Sequence, residues 1–456
     1  MSDPVVIIGG GFAGAVTALR AVEAAPALTV TIVEPRTELG RGVAYGTPDI
    51  DHLVNGPAKL FGLYPDDPGH LPRWLAGRPG RRGRSGPPDG NFADSFPPRI
   101  LYGDYIQSEL AKANVRHVVD IAVDVAHGPE VLLASGRRLA AGRVILATGL
   151  FRNQTRFELG EAVCRSGRYV ADPWSAASYA GVEAAGDVAI IGSGLSMLDS
   201  LISLEKRGFR GRYLILSRRG LLVRARREVE PWPSFLLNGH LPRTALSLLR
   251  EVRRELGAIE ATGDDWQRLV PTIRLLVAAL WAGMDDVERR RCIRHLQSFW
   301  DLAFHRAVPE SMAWLERVRA EGRLVHAAGR VQALELDSDG GIAVVWRSRG
   351  SRQVETRRFD YVVNAAGYAA DWRRIPHPLI GNLAARGLVR PHPTELGIEA
   401  DPATGAVIDG DGQPSRQLFA VGHPLRGTVW ESSSIVEQLA GATRVAQALA
   451  RHDAGR

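Results

Sequence analysis

Short apolar runs rich in β-branched residues alternate with longer amphipathic stretches along the chain. The run Val5–Ile8 is followed by glycines, by a helical pattern to about Ala25, and by a second apolar run, Thr29–Val33. This order is typical of the βαβ unit, two parallel strands joined by a helix. The order returns at Val188–Ile191, where glycines, a helical pattern to about Lys206 and another strand follow. The pattern therefore predicts an α/β fold class with two such units.

The remaining patterns indicate how the chain is divided between the two units. Each unit is followed by strands and turns that end in an apolar strand, at 144–147 and again at 361–364. A stretch between these two strands is almost wholly helical in pattern, which indicates a helical insertion at 233–320. The predicted segments are 1–165, the first part of one domain; 166–345, a second domain that carries the insertion; and 346–456, the rest of the first domain.

The first glycine-rich turn has the spacing of a dinucleotide-binding site. Gly9, Gly11 and Gly14 follow a strand and open a helix, and Glu34 comes directly after the next strand. Gly9 permits a tight turn, Gly11 lets a pyrophosphate approach the backbone, and Gly14 lets helix and strand pack closely. The helix N-terminus attracts the phosphates. A carboxylate at position 34 binds the ribose hydroxyls and repels a 2′-phosphate, so we predict a Rossmann-like site for FAD or NAD.

A second turn, Gly192–Gly194, is a weaker version of the first, because Met197 stands where the third glycine is usual. The strand that follows ends at Ser217, without an acidic residue, and Arg218–Arg219 come next. Arginine matches phosphate oxygens with two parallel hydrogen bonds. We therefore predict that this second Rossmann-like domain prefers NADPH to NADH. The alternative is an ordinary surface run of arginines in an arginine-rich chain.

Small residues end the apolar strands that close each unit. Thr148 and Gly149 follow one of these strands and Gly367 follows the other, and we expect both ends to approach a cofactor. Near the C-terminus, Gly422 and His423 stand where many flavoproteins have a Gly-Asp pair that binds the flavin ribityl chain. Histidine can make that contact, but the departure leaves it open. Serines at 432–434 can cap the last helix.

Composition excludes several classes of protein. The chain has 57 basic and 50 acidic residues, a net charge of +7, and all but three of the basic residues are arginine. This bias fits the coding habit of a GC-rich genome, and no basic face with interleaved aromatics predicts nucleic-acid binding. The two cysteines, Cys164 and Cys292, form neither a redox pair nor a zinc site. No metal site, membrane span or signal peptide is predicted, and cytoplasm is the expected compartment.

Several separate motifs resemble one family over nearly the whole chain, the bacterial FAD/NAD(P)-binding proteins of the NAD-binding-9 type. Its known members include flavin-dependent hydroxylases that act on urate and on the amino group of aspartate. The matching motifs are Arg41-Gly42-Val43-Ala44-Tyr45-Gly46, Asp51-His52-Leu53-Val54-Asn55, Phe96-Pro97-Pro98-Arg99, Tyr102-Gly103-x-Tyr105, Gly192-Ser193-Gly194-Leu195-Ser196-Met197-Leu198-Asp199, Phe299-Trp300-Asp301, His305-Arg306-x-x-Pro309 and Arg426-Gly427-x-x-Trp430-Glu431.

The resemblance implies an FAD-dependent monooxygenase. NADPH would reduce FAD, O₂ would add to the flavin, and the flavin hydroperoxide would hydroxylate a small molecule, at an amine or at a heteroaromatic ring. The predicted loop 65–99, which includes a cluster of arginines at 78–84, and the helical segment 233–320 are candidates to close over the substrate. Two alternatives stay open: a reductase that passes electrons to another acceptor, and a flavin-binding regulatory protein without turnover. The oligomeric state is not predicted.

Three side chains are candidates for the catalytic site. Asn55 is expected to contact the flavin or its oxygen adduct, although capping of a loop is the alternative. Arg306 can bind an anionic substrate, or it can form an ion pair on a helix surface. Glu431 can face the active site or serve as a structural carboxylate. The predicted cofactor-binding residues are Gly9, Gly11, Phe12, Ala13, Gly14, Glu34, Gly42, Val43, Ala44, Asn55, Thr148, Gly149, Gly192, Ser193, Gly194, Leu195, Ser196, Ser217, Arg218, Arg219, Gly367, Gly422, His423 and Trp430.

Overall fold

A computed structural model describes residues 4–78, 90–126, 128, 130–151, 155, 157–236 and 241–454. The strands are β1 (Val5–Ile8), β2 (Val30–Val33), β3 (Val115–Val118), β4 (Ala122–Ala126), β5 (Glu130–Leu133), β6 (Arg138–Ala140), β7 (Arg143–Leu146), β8 (Glu158–Leu159), β9 (Tyr169–Val170), β10 (Asp187–Ile191), β11 (Arg212–Ser217), β12 (Leu324–Leu336), β13 (Ile342–Ser348), β14 (Val354–Phe359), β15 (Tyr361–Asn364), β16 (Ala406–Ile408) and β17 (Pro414–Ala420). The α-helices are α1 (Phe12–Ala24), α2 (His70–Ala76), α3 (Arg99–Leu110), α4 (Glu161–Arg165), α5 (Leu195–Lys206), α6 (Ala245–Ala261), α7 (Leu269–Arg274), α8 (Val277–Ala282), α9 (Asp286–His295), α10 (Gln297–Phe304), α11 (Pro309–Ala320), α12 (Pro378–Ala385) and α13 (Ile435–Ala454).

The first unit is built on a sheet of strand order β16-β17-β7-β1-β2-β3. Its strands are parallel except at the β16–β17 edge. Alternate residues of β1 face opposite layers, as the period of a strand requires. Val5 and Ile7 pack with α1, α3 and α13, whereas Val6 and Ile8 pack with the small sheet β4-β5-β6 and with α12. Burial on both faces explains why β1 is a continuous apolar run.

The second unit repeats this plan around the strand order β14-β13-β12-β11-β10-β15-β9. The strands from β12 to β9 are parallel, and β12, β13 and β14 form an antiparallel extension. Val188 and Ile190 of β10 pack with α5 and α11, and Ala189 and Ile191 pack with β13 and β14. The predicted duplication of two Rossmann-like units is therefore confirmed as a fold.

The helical insertion lies between β11 and β12, as the sequence pattern predicts. Helices α6 to α10 have an apolar core of their own, which also includes Trp430 from the C-terminal segment. Helix α11 differs from the other five because it packs on α5 and shares the core of the second unit. It is the crossover helix of that unit, so the insertion proper ends before Pro309.

Two sequence predictions need correction. Strands β13, β14 and β15 all pair within the second sheet, so the chain returns to the first unit after Asn364 and not at 346. We propose the domain boundary there.

Segment 65–99 is not loop throughout, because α2 lies at 70–76 with Leu71 and Leu75 buried. Most of the arginine cluster at 78–84 lies outside the described residues. In the described parts of the chain, no helix is long and apolar enough to cross a membrane.

Candidate active site

The turn between β1 and α1 brings backbone groups into contacts that only glycine allows. Gly9 has φ +104°, and a Cβ there would lie 2.2 Å from the carbonyl oxygen of Ala147. A Cβ on Gly14 would lie 1.9 Å from the carbonyl oxygen of Gly9. No side chain caps the helix at Gly11. The first N–H groups of α1, from Phe12 and its neighbours, thus face outward without an intrahelical acceptor, which suits a pyrophosphate.

Glu34 lies directly beside this turn. Its side chain is buried, its Oε2 accepts a hydrogen bond of 2.8 Å from the backbone N–H of Gly10, and its Oε1 accepts one of 3.2 Å from the backbone N–H of Arg36. A Cβ on Gly10 would lie 2.7 Å from the Cβ of Glu34, so residue 10 is also restricted to glycine. The carboxylate is therefore held at the place where the adenosine ribose of a bound dinucleotide lies in this fold.

The segment 41–46 packs over the same turn. Gly42 has φ +56°, and a Cβ there would lie 3.1 Å from the Cα of Gly11. Next to it, the rings of Tyr45, Phe12 and Tyr102 form a buried cluster with centroids 4.8 to 5.9 Å apart. Val43 is half-buried and Ala44 is exposed between these fixed points. The close approach forms one wall of a binding site for a phosphate-bearing ligand. We call this site, which is formed by the turn at Gly9–Gly14 and the segment 41–46, the first cradle.

The ends of β7 and β17 complete the first cradle. The hydroxyl of Thr148 is buried and has no hydrogen-bond partner, and Gly149 beside it has φ +66° with open space around it. Gly422 has φ +78°, and a Cβ there would lie 3.1 Å from the Cβ of Ala13. A buried hydroxyl without a partner is costly unless a ligand or water satisfies it. These residues therefore fit a dinucleotide bound across the carboxyl ends of the strands.

His423 is neutral at physiological pH. Burial, with a smaller contribution from the Arg426 guanidinium, lowers the pKa of His423 to about 4. The residue can therefore exchange a hydrogen bond with a ligand but brings no charge. Farther along, the hydroxyl of Ser434 accepts a hydrogen bond of 3.2 Å from the backbone N–H of Glu437, which caps α13 as predicted.

The second cradle repeats the geometry of the first. Gly192 has φ +116°, and a Cβ there would lie 2.3 Å from the carbonyl oxygen of Ala365. Gly194 precedes α5 with open space around its Cα, and no side chain caps that helix. Ser193 donates a hydrogen bond of 2.5 Å to the carbonyl of Leu221, so its hydroxyl fixes the neighbouring segment. In both units the glycine turn therefore lies against the end of the neighbouring strand.

The other residues of the second cradle differ in how far they are exposed to solvent. Met197, which replaces the third glycine, is fully buried in the core of the second unit. Leu195 and Ser196 of α5 are half-buried next to it. Gly367 after β15 has φ +100° and open space around it, as Gly149 has in the first unit. The turn therefore keeps its backbone shape although one glycine is missing.

The two arginines after β11 have different surroundings. Arg219 donates a hydrogen bond of 3.0 Å to the carbonyl of Arg294 and lies 5.3 Å from the centroid of the Phe299 ring. It thus also fastens the insertion to the second unit. Arg218 is exposed, and within the described part of the chain the buried hydroxyl of Ser217 has no hydrogen-bond partner. Both arginines follow the strand end directly, so both stay candidates for a 2′-phosphate.

An ion pair joins the two units. Arg99 donates hydrogen bonds of 2.6 and 3.3 Å to the two carboxylate oxygens of Asp199, and both side chains are almost buried. His52 lies beside them, with Nδ1 2.8 Å from the Thr47 hydroxyl and Nε2 3.0 Å from the Asp199 carbonyl oxygen. The motif residues around 52, 99 and 199 therefore meet at the junction that sets how the two cradles face each other.

A second group of motif residues meets where the insertion touches the C-terminal segment. Glu431 accepts a hydrogen bond of 2.7 Å from Trp300 Nε1, and its Oε2 lies 3.8 Å from His305 Nε2. Burial opposes the charge of His305, but the nearby carboxylates of Asp301 and Glu431 raise its pKa to about 9. Burial likewise acts against the charged form of Glu431, but contact with His305 keeps its pKa below the usual value. The two groups form an ion pair at neutral pH.

Three arginines lie close to this pair and carry no ion pair among the described residues. Arg306 is buried, donates a hydrogen bond to Gln267 Oε1, and keeps a buried Nε without a partner. Burial and the charges of Arg226 and Arg274 lower its pKa to about 10. Arg274 donates a hydrogen bond of 3.5 Å to the carbonyl of Phe304, and burial lowers its pKa although the charge of Glu431 acts in the opposite direction. We call the space between these arginines and Glu431 the cleft. The cluster is suited to an anionic group.

Asn55 lies across the same cleft. A Cβ on its neighbour Gly56 would lie 3.7 Å from Nη1 of Arg226. The half-buried side chain of Asn55 makes no hydrogen bond within the described residues, so no loop-capping bond occupies it. Trp430, in contrast, is buried in the core of the insertion, 4.6 Å from Trp281 between ring centroids. Its large apolar ring lies in that core, and its contact with a cofactor stays a prediction.

Comparison with known proteins agrees with this geometry. Residues 6–151 match the family model described as FAD-NAD(P)-binding. This confirms the resemblance seen in the motifs of the first unit. No match was found among the curated proteins.

Solved structures extend the likeness to the whole chain. An ornithine N-hydroxylase from Kutzneria sp. 744 has a TM-score of 0.67 at 16% identity, and the match covers 99% of this chain and 100% of that one. L-lysine 6-monooxygenase from Pseudomonas syringae has a TM-score of 0.64 at 17% identity and 99% coverage of both chains. A cadaverine monooxygenase from Erwinia amylovora has a TM-score of 0.62 at 12% identity, covering 100% of this chain and 95% of that one. These values show a shared two-domain, Rossmann-type flavoprotein fold.

Sequence reasoning assigned no role to four residues of this site. Arg99 and Asp199 stood in recognised motifs, and their opposite charges were the available signal. His305 also stood in a motif, but its partner Glu431 lies 126 positions later in the chain. Arg274 had no signal, because only the tertiary fold brings it to the cleft.

Proposed function

We propose that the protein is an FAD-dependent, NADPH-using monooxygenase that hydroxylates a small molecule with O₂. The single observation that carries the proposal is the pair of like cradles. Each has a glycine turn pressed against the end of a neighbouring strand, at Gly9 and Ala147 and again at Gly192 and Ala365. A carboxylate stands beside the first cradle and arginines beside the second. One site for FAD and a second for NADPH follow from this asymmetry.

The first cradle would hold FAD. The N-terminus of α1 and the segment 41–46 would bind its pyrophosphate, Glu34 its ribose, and Thr148 a polar atom of the cofactor. FAD, when bound, accepts a hydride from NADPH and activates O₂ for transfer of one oxygen atom to the substrate. The chain's own residues bind the two cofactors, orient them and exclude water.

The second cradle would hold NADPH. Its pyrophosphate would lie at the N-terminus of α5, and Arg218, Arg219 or both would bind the 2′-phosphate. Asp199 and Arg99 keep the two units in one relative orientation, so that the nicotinamide reaches the flavin at a fixed distance. Arginine suits both the cofactor site and the junction between the units, because its planar guanidinium can donate two parallel hydrogen bonds to a phosphate or a carboxylate.

The cleft between the units would be the substrate site. Asn55 would contact the flavin, and Arg306, with its neighbours, would bind an anionic group of a ligand. Glu431 would keep His305 protonated at neutral pH, and a protonated imidazole can donate a proton to the reacting atoms. The similar structures act on ornithine, lysine and cadaverine. We propose hydroxylation at an amine nitrogen or at a heteroaromatic ring as the reaction class.

A reductase that passes electrons to another acceptor is the main alternative, and the cysteines oppose its disulfide-reducing form. Cys164 is exposed on α4, whereas Cys292 is buried in the insertion. Burial raises the pKa of Cys292 to about 11, so its thiol is inert at neutral pH. No dithiol relay can be formed from these residues.

The test is coupled turnover by the purified yellow protein. NADPH oxidation, O₂ consumption and product mass would be measured with amines, amino acids and purines as candidate substrates. We expect one substrate class to accelerate NADPH oxidation and to gain one oxygen atom. Reduction of an added quinone or disulfide in place of any oxygenated product would contradict the proposal and favour a reductase.

A further inference from the structure

A large cavity lies inside the helical insertion. Its volume is about 810 Å³, within the range of pockets that hold a ligand of drug size. Its walls come from α6 to α11, from segment 220–225 beside the second cradle, and from Trp430 of the C-terminal segment. It is therefore bordered by the insertion and by both nucleotide-binding units.

The walls of the cavity are mainly apolar. Leucine, valine and isoleucine from α6, α7 and α8 line one part of it. Aromatic rings line another part, where Trp300 stacks on Phe304 at 3.8 Å and Trp281 lies 4.6 Å from Trp430. A surface of this kind gains free energy by removing apolar ligand area from water. Among the described lining residues the one carboxylate, Glu316, is paired with Arg319 at 3.2 Å, so an ammonium group would lose its hydration there and find this carboxylate already paired.

One buried side-chain atom in the described wall of the cavity has no hydrogen-bond partner. His326 of β12 lines the cavity, and its buried Nε2 makes no hydrogen bond within the described residues. Burial and, to a smaller degree, the nearby Arg319 lower the pKa of His326, so the imidazole is neutral. Arg319 is itself 3.2 Å from Glu316, which balances its charge. A neutral imidazole can donate or accept one hydrogen bond, depending on its tautomer.

We propose that this cavity binds an apolar small molecule, aliphatic or aromatic, that carries one uncharged hydrogen-bonding group for His326. This site goes beyond the proposed function, because it is distinct from the cleft in which that function places the substrate, although Trp430 of the cavity wall directly precedes Glu431 of the cleft in the chain. The helical insertion then contains a ligand-binding cavity of its own and does not only cover the cofactor sites.

The test uses the FAD-containing protein and the neutral fluorophore N-phenyl-1-naphthylamine, whose emission rises in apolar sites. We expect saturable binding at a single site. Ala303→Trp, which fills part of the cavity, should weaken binding by about tenfold or more. Ala279→Trp, the same change on the exposed side of α8 away from the cavity, should leave binding unchanged. Leu249→Trp is a second filling variant in case the first does not fold.

Displacement of the fluorophore tests the proposed hydrogen bond between the ligand and His326. 4-Phenylphenol should displace it better than biphenyl, by roughly twofold to tenfold for one hydrogen bond. His326→Leu should remove that difference while the fluorophore still binds. Displacement by L-lysine as effective as that by 4-phenylphenol would overturn the proposal.

The binding assay needs no NADPH, so it is separate from the proposed function. Equal loss of binding in Ala303→Trp and Ala279→Trp, or binding that does not saturate, would overturn the cavity assignment. This holds whether or not NADPH reduces the flavin. Specific binding in a protein whose flavin is not reduced by NADPH would support the cavity and refute only the monooxygenase.

Discussion

The ion pair between Arg99 and Asp199 gives a prediction about both stability and electron transfer. Replacing Asp199 with alanine leaves the Arg99 guanidinium almost buried and without its carboxylate. Arg99 would keep only the hydrogen bond of 3.0 Å that its Nε donates to the carbonyl of Leu53. Because the pair crosses the junction between the two units, its loss should loosen their relative orientation as well as lower the free energy of unfolding.

The magnitude follows from the burial of the pair. The two side chains are only 11% and 9% exposed, and removing one partner from a buried pair costs about 3–5 kcal/mol. The entropy of unfolding is roughly 2 cal/mol/K per residue, about 1 kcal/mol/K for the 456-residue chain. The melting temperature of Asp199→Ala should therefore fall by about 3–5 °C.

The assay is thermal unfolding, with an exposed ion pair as the control. Arg165 and Glu161 lie 3.0 Å apart on α4 but are 70% and 80% exposed. Glu161→Ala should lower stability by less than about 1 kcal/mol. The double variant Arg99→Met/Asp199→Leu buries no charge and should recover much of the loss, less the cost of the Leu53 carbonyl left without a partner.

Flavin reduction measures the effect on orientation. Asp199→Ala should bind FAD as the wild type does, because no residue of the first cradle is changed, but NADPH should reduce the flavin more slowly. A fall in melting temperature no larger than that of Glu161→Ala would refute the reasoning about burial. An unchanged reduction rate would refute the role of the pair in orienting the two units.

Three more predictions concern the cofactor sites and the cleft. The pKa of His305 is raised from an unfolded value near 6.5 to about 9, so the stability it contributes is fully present below pH 6.5 and is lost as pH rises through 9. Melting curves from pH 6 to 10 should show this loss in the wild type and a smaller one in Glu431→Gln, because Asp301 still faces the imidazole. Glu34→Arg should remove the yellow colour of the purified protein, and stoichiometric FAD in that variant would contradict the ribose role of Glu34. Arg218→Ala with Arg219→Ala should raise the KM for NADPH by about tenfold or more, with little change for NADH; equal changes for both would exclude a 2′-phosphate site.

The cradles could be predicted from the sequence because their chemistry is local. The contacts of Gly9, Gly11 and Gly14 depend on a turn between one strand and the next helix, and the spacing of glycines records that turn directly. Glu34 follows from the same unit, because parallel strands end at the same edge of a sheet. The second cradle was predictable despite Met197, since its first two glycines hold the backbone shape.

The cleft and the cavity could not be predicted in the same way. Arg99 and Asp199 are 100 positions apart, and His305 and Glu431 are 126 positions apart, so only the packing of the two units joins them. Trp430 is among the predicted cofactor-binding residues, and its ring lies in the apolar core of the insertion, a contact that its neighbours in the sequence do not indicate. Burial of this kind depends on helices whose arrangement the sequence pattern does not specify.

Stopped-flow absorbance of the flavin tests the central claim most directly. The purified protein would be reduced with NADPH in the absence of O₂ and then mixed with oxygenated buffer. We predict that NADPH bleaches the flavin, and that a transient species with near-ultraviolet absorbance, unlike oxidised or reduced flavin, precedes return of the yellow colour. A flavin that NADPH does not bleach, or one that returns to the oxidised form without such a species both with and without candidate substrates, would contradict a monooxygenase.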